Sequence, residues 1–150
     1  MDLKTANENL ATVNRNMSAA VIAHDLAVMV ADLSQKVANL AAEVATTAAT
    51  EYNTATAIRI ASELPVNYQA VGGVDAYYAA IAAQSAALAA KNSAVAAFAV
   101  ANATAATDAL SVVTKAAAVS KFTQETSHAL SIAAAAKALL DTAVRLGVKI

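Results

Sequence analysis

The chain begins with a long segment whose apolar residues follow a coiled-coil spacing. Within about residues 5–63 the clearest run steps by four and three: Leu26, Val30, Leu33, Val37, Leu40 and Val44. This spacing predicts one long α-helix, or two nearly collinear ones, with a seam that packs on a partner helix. Polar residues recur every seven positions beside it, namely Ser18, Asp25, Asp32, Asn39, Thr46 and Asn53. They mark a face that is solvated or lines a polar contact.

Pro65 predicts the end of this first helix, because proline lacks the amide donor and keeps the preceding residue out of the α region. The connection predicted over residues 65–75 contains Gly72 and Gly73, and Asp75 is a good N-cap for the next helix. A connection of this length between long helices indicates an αα-hairpin.

The second half of the chain contains an alanine-rich stretch. Roughly half of residues 77–107 are alanine, the best helix former and a residue that lets helix backbones approach closely. Ile81, Leu88 and Val95 are spaced by seven and predict an apolar ridge, and Phe98 comes next as a further packing residue. We predict helices over about 76–106 and 109–146, with breaks near 104–108 and 120–123.

Composition defines the class of fold. Alanine supplies 45 of 150 residues, 59% of the chain is hydrophobic and only 14% is charged, against about 25% in typical soluble domains. The mean hydropathy of +0.51 excludes a disordered chain. With three glycines and one proline, the sequence predicts a single all-α domain: an elongated bundle or hairpin of three or four long alanine-rich helices.

The same composition predicts a cytoplasmic protein. The longest charge-free run, residues 92–107, is 16 residues long and includes polar side chains, which falls short of the roughly 20 apolar residues of an ordinary membrane span. The first ten residues have no apolar core of the signal-peptide type. The absence of cysteine fits a reducing compartment.

Charge is distributed unevenly along the chain. Residues 1–75 hold eight acids and four bases, a net charge of −4, and residues 76–150 hold three acids and six bases, a net charge of +3. Complementary halves favour antiparallel packing within one chain or head-to-tail packing between chains. The overall charge of −1 provides no basic footprint for nucleic acid.

Few residues are candidates for chemistry. Glu125 and His128 form a Glu-x-x-His pair, a spacing found in di-iron bundles; those sites need a second copy and two more glutamates, so an exposed polar turn is the favoured interpretation. We predict no catalytic residue, metal or cofactor. His24, Asp25, Asp32 and His128 are instead candidate pH-sensing groups.

Tyrosines cluster around the predicted helix ends and loop, at Tyr52, Tyr68, Tyr77 and Tyr78. They pack either at the end of the bundle or at a contact between subunits, where tyrosine is favoured.

One stretch resembles a known family. Residues 78–110 contain a tyrosine and then AAKNSAVAAFAVANATAATDAL, which is similar to the core of the R-body (Reb, or "killing trait") proteins. The matching positions are Ala89, Ala90, Asn92, Ala94, Val95, Ala97 and residues 103–107. Phe98, Ala99 and Val100 replace the glutamine run of that family. The resemblance implies a subunit that polymerises into a coiled cytoplasmic ribbon, which extends on acidification and can rupture membranes.

These features support two hypotheses for function. The first is a non-enzymatic structural protein that assembles with itself, or with a homologous subunit, into a filament, sheet or ribbon, because few charges and small side chains leave apolar helix surface that one chain does not cover. The second is an α-helical membrane-active toxin or effector that hides an apolar hairpin in a soluble bundle. An enzyme is a distant third, because no convergent set of polar residues is present.

If His24, Asp25 and Asp32 lie at a subunit contact, the shape or stability of the assembly should change below about pH 6, where histidine gains charge. Imaging the assembly at about pH 7.5 and about pH 5 checks this expectation. An unchanged assembly would count against it.

Overall fold

The computed structural model describes residues 2–63 and 73–147, and these residues form two α-helices. Helix α1 spans Leu3–Glu63 and helix α2 spans Gly73–Arg145. The all-α prediction is confirmed for this part of the chain, and the prediction of three or four helices is wrong. The breaks expected near 104–108 and 120–123 both lie inside α2. Residues 64–72, most of the predicted loop, lie outside the described residues.

In helix α2 the threonine hydroxyls near the expected breaks are hydrogen-bonded within the helix. The hydroxyls of Thr104, Thr107 and Thr123 donate to the carbonyls four residues earlier, at 3.1, 3.0 and 2.8 Å. A hydroxyl bonded in this way does not compete for the backbone ladder by forming a turn. Residues 74–146 contain neither proline nor glycine, so no residue removes a backbone donor or favours a break.

Two of the described helix ends carry capping interactions. The Asp2 carboxylate accepts a hydrogen bond from the Thr5 amide at 2.7 Å, which lowers the pKa of Asp2. Gly147, with φ of 71°, comes after the last turn of α2 and donates to the Val144 carbonyl. Asp75 is not the N-cap of α2, because the helix already begins at Gly73 and Asp75 lies in its first turn.

The chain divides into two compact units, each built from one segment of α1 and one of α2. Unit 1 comprises Met1–Ala31 and Asp108–Ile150, and unit 2 comprises Asp32–Thr107. Within unit 2 the helices are antiparallel, since Gln84 donates to Thr56 at 3.0 Å and Tyr77 donates to Glu63 at 3.2 Å. Within unit 1 the Thr126 hydroxyl lies 3.7 Å from the Met17 sulfur.

In each unit the two helices meet along an inner seam with a seven-residue period. Every seam position on α1 is buried or half-buried. In unit 1 these positions are Leu3, Ala6, Leu10, Val13, Met17, Ala20, His24, Ala27 and Ala31. In unit 2 they are Ser34, Ala38, Ala41, Ala45, Ala48, Tyr52, Ala55, Arg59 and Ser62. The steps of three and four residues are those of a left-handed coiled coil.

Helix α2 carries the matching seam with the same period. In unit 2 its members are Tyr77, Ala80, Gln84, Ala87, Lys91, Ala94, Phe98, Ala101 and Ala105, all buried or half-buried. In unit 1 they are Asp108, Val112, Lys115, Val119, Phe122, Thr126, Ala129, Ala133, Ala136, Leu140 and Ala143, of which only Lys115 is exposed. Each hydrophobic residue that is fully buried in the described chain is an alanine. The most deeply buried part of the helix contact is therefore made by alanine methyl groups, with larger half-buried side chains between them.

Ala38, which is 1% exposed, gives a test of this seam. Ala38→Leu should lower the free energy of unfolding by about 1–3 kcal/mol, because the added atoms have no space between closely packed helices. Ala57→Leu, at an exposed position of the same helix, is the matched control and should change it by less than about 0.5 kcal/mol. Urea unfolding followed by circular dichroism measures both. Equal effects of the two substitutions would contradict the alanine seam.

Candidate functional site

The apolar run that the sequence singles out on α1 lies on the exposed surface of the helix. We call Leu26, Val30, Leu33, Val37, Leu40 and Val44 the outer stripe; their exposed fractions are 59, 43, 63, 50, 61 and 59%. Within this chain the run therefore lies outside the contact between α1 and α2, and its packing on a helix of another copy stays a prediction. Each member of the outer stripe directly precedes a member of the inner seam. One residue is a rotation of about 100° around the helix, which moves the stripe out of the contact.

The predicted ridge on α2 is displaced in the same way. Ile81, Leu88 and Val95 each directly follow a buried or half-buried seam alanine, and Leu88 and Val95 are 41 and 49% exposed. Ile81 is half-buried beside the seam. Phe98 is itself a seam member and is half-buried. On both helices the apolar run has the seven-residue period of the seam and lies one residue away from it.

A second stripe of exposed residues runs along α2 in unit 2. We call it the alanine stripe; it consists of Ala83, Ala86, Ala90, Ser93, Ala97, Val100 and Thr104, all exposed. Its steps of three and four residues match the period of the outer stripe. Small side chains dominate it, whereas the outer stripe holds only leucine and valine.

Residues Leu33–Val44 of the outer stripe and the alanine stripe lie on the same face of unit 2, where both border one groove and the alanine stripe reaches a second one. The larger groove has a volume of about 630 Å³ and is lined by Leu33, Ser34, Val37, Ala96, Ala97, Val100, Ala101 and Thr104. The smaller one, of about 270 Å³, is lined by Thr50, Glu51, Thr54, Ala55, Ile58 and Ala83. Both linings are mainly apolar, and Glu51 is the only ionisable group among them. This face suits an apolar helix better than a polar ligand.

Unit 1 has two grooves of its own, each of about 300 Å³. One is lined by Ala23, Leu26, Ala27, Val30, Asp108, Ser111 and Lys115. The other is lined by Ala6, Asn9, Thr12, Val13, Glu125, His128, Ala129 and Ile132. The Glu125 carboxylate lies 3.7 Å from the Lys121 ammonium. Among the described residues, no three His, Cys, Asp or Glu side chains are grouped so that they could hold a metal ion.

The candidate pH-sensing residues are dispersed over different surfaces. His24 is a half-buried member of the inner seam, and its Nδ1 lies 3.4 Å from the Asp25 carboxylate. Asp25 and Asp32 belong to the exposed polar stripe of α1, and Asp32 pairs with Lys36 at 2.7 Å. His128 is exposed beside Glu125.

Three of the four tyrosines lie in the described chain. Tyr77 donates to Glu63, which also accepts from Arg59, and its ring lies 5.8 Å from that of Tyr78. The Tyr52 ring lies 4.8 Å from the Lys91 ammonium across the seam of unit 2. Tyr77 and Tyr52 thus make contacts within the chain, whereas Tyr78 is 63% exposed. Tyr68 lies outside the described residues.

Both helices are apolar enough to be compared with membrane spans. Each contains an 18-residue window with a mean hydropathy of 1.4 and at most two charged residues, and 6% of each window is buried. By length and composition alone, α1 and α2 could each cross a bilayer. The charge-free run of residues 92–107 was compared with a membrane span under a stricter criterion, because the 18-residue windows allow up to two charged residues.

Comparisons of the chain with protein-family models, with curated proteins and with solved structures found no match. The resemblance of residues 78–110 to the R-body family therefore stays a prediction from the sequence.

The contact between Lys91 and Tyr52 predicts a measurable coupling. Lys91→Gln should lower the free energy of unfolding by about 0.5–1 kcal/mol more in the wild-type background than in a Tyr52→Leu background. The reason is that the cation–π attraction is present, and can be lost, only when the Tyr52 ring is there. A double-mutant cycle by urea unfolding measures this difference. Tyr78→Leu, which removes an exposed ring, serves as the control background. Equal losses in the wild-type and Tyr52→Leu backgrounds would refute the coupling.

Proposed function

We propose that this protein is a self-assembling structural subunit whose alanine-rich helices pack against further copies. The observation that carries the proposal is the distribution of apolar side chains. Among the described residues, every fully buried hydrophobic residue is an alanine, while 23 large hydrophobic residues are exposed. Soluble monomers rarely leave contiguous apolar surface of more than a few hundred Å². Helices that keep small residues inside and large ones outside require neighbours to cover them.

The total surface area supports the same proposal. The chain exposes 10106 Å², whereas a compact monomer of 15.1 kDa is expected to expose roughly 7,100 Å². The excess is roughly 3,000 Å², and a standard protein interface covers about 800 Å² on each partner. We propose that neighbouring copies cover part of this surface.

The proposed assembly is a filament, sheet or R-body-like ribbon in the cytoplasm, with no enzymatic activity and no nucleic-acid partner. The partner is another copy of the chain or a homologous subunit. The dominance of helix, the alanine seam and the family resemblance of residues 78–110 support this form of the proposal. The outer stripe, Tyr78, Leu88 and Val95 are the exposed residues available for contacts between copies.

Purified protein should elute as species much heavier than the 15.1 kDa chain and should show regular polymers in negative-stain microscopy. Size-exclusion chromatography with light scattering gives the mass. The expected result is a mass that is a multiple of the chain mass and rises with concentration, as mass action requires. A monomer of 15.1 kDa at all concentrations, with no polymer in the micrographs, would refute the proposal.

The alternative is a membrane-active toxin or effector, and the apolar windows of α1 and α2 favour it. In that case the exposed large hydrophobic residues contact lipid rather than protein. Leakage of a dye from vesicles separates the two functions: the alternative expects leakage somewhere between about pH 5 and 8, the range in which histidine titrates. Vesicles that stay intact over this range, with polymers present in solution, exclude the alternative.

A further inference from the structure

We infer that a second copy of the chain docks on the grooved face of unit 2, so that the outer-stripe residues Leu33–Val44 of each copy pack on the alanine stripe of the other. A two-fold axis that runs along the helices relates the copies, and the contact is a four-helix bundle in which all neighbouring helices are antiparallel. This inference rests on the proposed self-assembly and adds the surface and the orientation of one contact.

The sizes of the side chains support this pairing. On one face of unit 2, α1 presents leucine and valine at steps of three and four, and α2 presents mainly alanine and serine at the same steps. Large residues pack best against small ones, because the layers then interdigitate without voids. A two-fold axis along the helices sets α1 of one copy over α2 of the other. A two-fold axis perpendicular to the helices would instead place the leucines and valines of one copy on those of the other, and the alanine stripe on the alanine stripe.

Charge favours the same orientation. In unit 2 the α1 segment 32–63 carries four acids and two bases, a net charge of −2, whereas the α2 segment 73–107 carries one of each. Packing α1 on α1 would bring two negative segments together, and packing α1 on α2 avoids this repulsion. In antiparallel neighbours the positive end of one helix dipole also lies beside the negative end of the next, which is a favourable arrangement.

The exposed apolar residues supply a large part of the area that a stable contact needs. Leu33, Val37, Leu40 and Val44 are between 50 and 63% exposed. At roughly 60–120 Å² for a fully exposed side chain, they offer about 140–280 Å² of apolar surface. A standard interface takes about 800 Å² from each partner, of which about 450 Å² is apolar. The exposed residues of the alanine stripe and Ile58, which is 56% exposed, add to the same face.

The natural chain has no cysteine, so single cysteines report the contact directly. One preparation carries Leu40→Cys and a second carries Ala97→Cys; they are mixed as full-length chains and treated with a short bismaleimide. We expect the mixed dimer, of twice 15.1 kDa, to exceed the Leu40–Leu40 dimer several-fold. The reason is that Leu40 of one copy lies over the alanine stripe of the other, while the two Leu40 side chains lie on diagonal helices.

A matched pair of control variants uses the neighbouring residues, which the helix rotation places on another face. Asn39→Cys and Ala99→Cys are at exposed positions and should give little crosslinked dimer. A third variant, Leu40→Lys, should weaken association at least tenfold with unchanged helicity, because it buries a charge at the contact and Leu40 has no buried role within the chain. Asn39→Lys is its control and should assemble as the wild type does.

The outcomes separate this inference from the proposed function. Mixed crosslinks together with loss of assembly in Leu40→Lys support both. A polymer that forms in the wild type and persists in Leu40→Lys overturns the docking inference and leaves self-assembly standing. Crosslinking of the mixed cysteine variants that yields mainly the dimer of two Leu40→Cys chains does the same. A monomeric wild type overturns both. Binding of monomer to phosphatidylcholine vesicles that Leu40→Lys abolishes also overturns the inference, because the face is then a lipid contact.

Discussion

The structure depends on a contact between two helices along a seam in which alanine is the commonest residue. Alanine loses no side-chain entropy on burial and favours helix more than any other residue. Small side chains at a contact let two backbones come to the short end of the 8–10 Å range of interaxial distances. The two helices, of 61 and 73 residues, have such a seam in both units, and in unit 1 it also contains larger side chains such as Val13, Met17 and Phe122.

The same contact determines what the surface looks like. In unit 2 alanines such as Ala38 and Ala48 occupy the seam of α1, and Leu33, Val37, Leu40 and Val44 lie one residue away and stay exposed. In an ordinary coiled coil the large residues lie in the seam and the small or polar ones lie outside. In this part of α1 the order is reversed. The free energy of burying the large residues is therefore available to contacts with other molecules.

The fold class and the periods of both helices could be predicted from the sequence. The steps of Leu26–Val44 and of Ile81–Val95 are coiled-coil steps, and the scarcity of glycine and proline indicates helix throughout. The phase could not be predicted, because pattern analysis assigns the largest apolar residues to the interior. In this protein the buried positions are occupied by residues such as Ala38 and Ala94, which in the sequence are small residues between larger apolar ones. The helix count was also overestimated, because threonines such as Thr104 and Thr123 were given the weight of helix breaks, although residues 74–146 contain neither glycine nor proline.

The sequence by itself determined that this protein is helical, rich in small residues, poor in charge and able to present apolar stripes with a seven-residue period. These are local properties, set by helix propensity and by the spacing of residues along one chain. Only the tertiary structure decided which stripe meets the partner helix. In unit 2 small side chains such as Ala38 and Ala94 are buried at that contact, and the leucine and valine stripe is left on the outside, because small residues let two helix backbones approach closely.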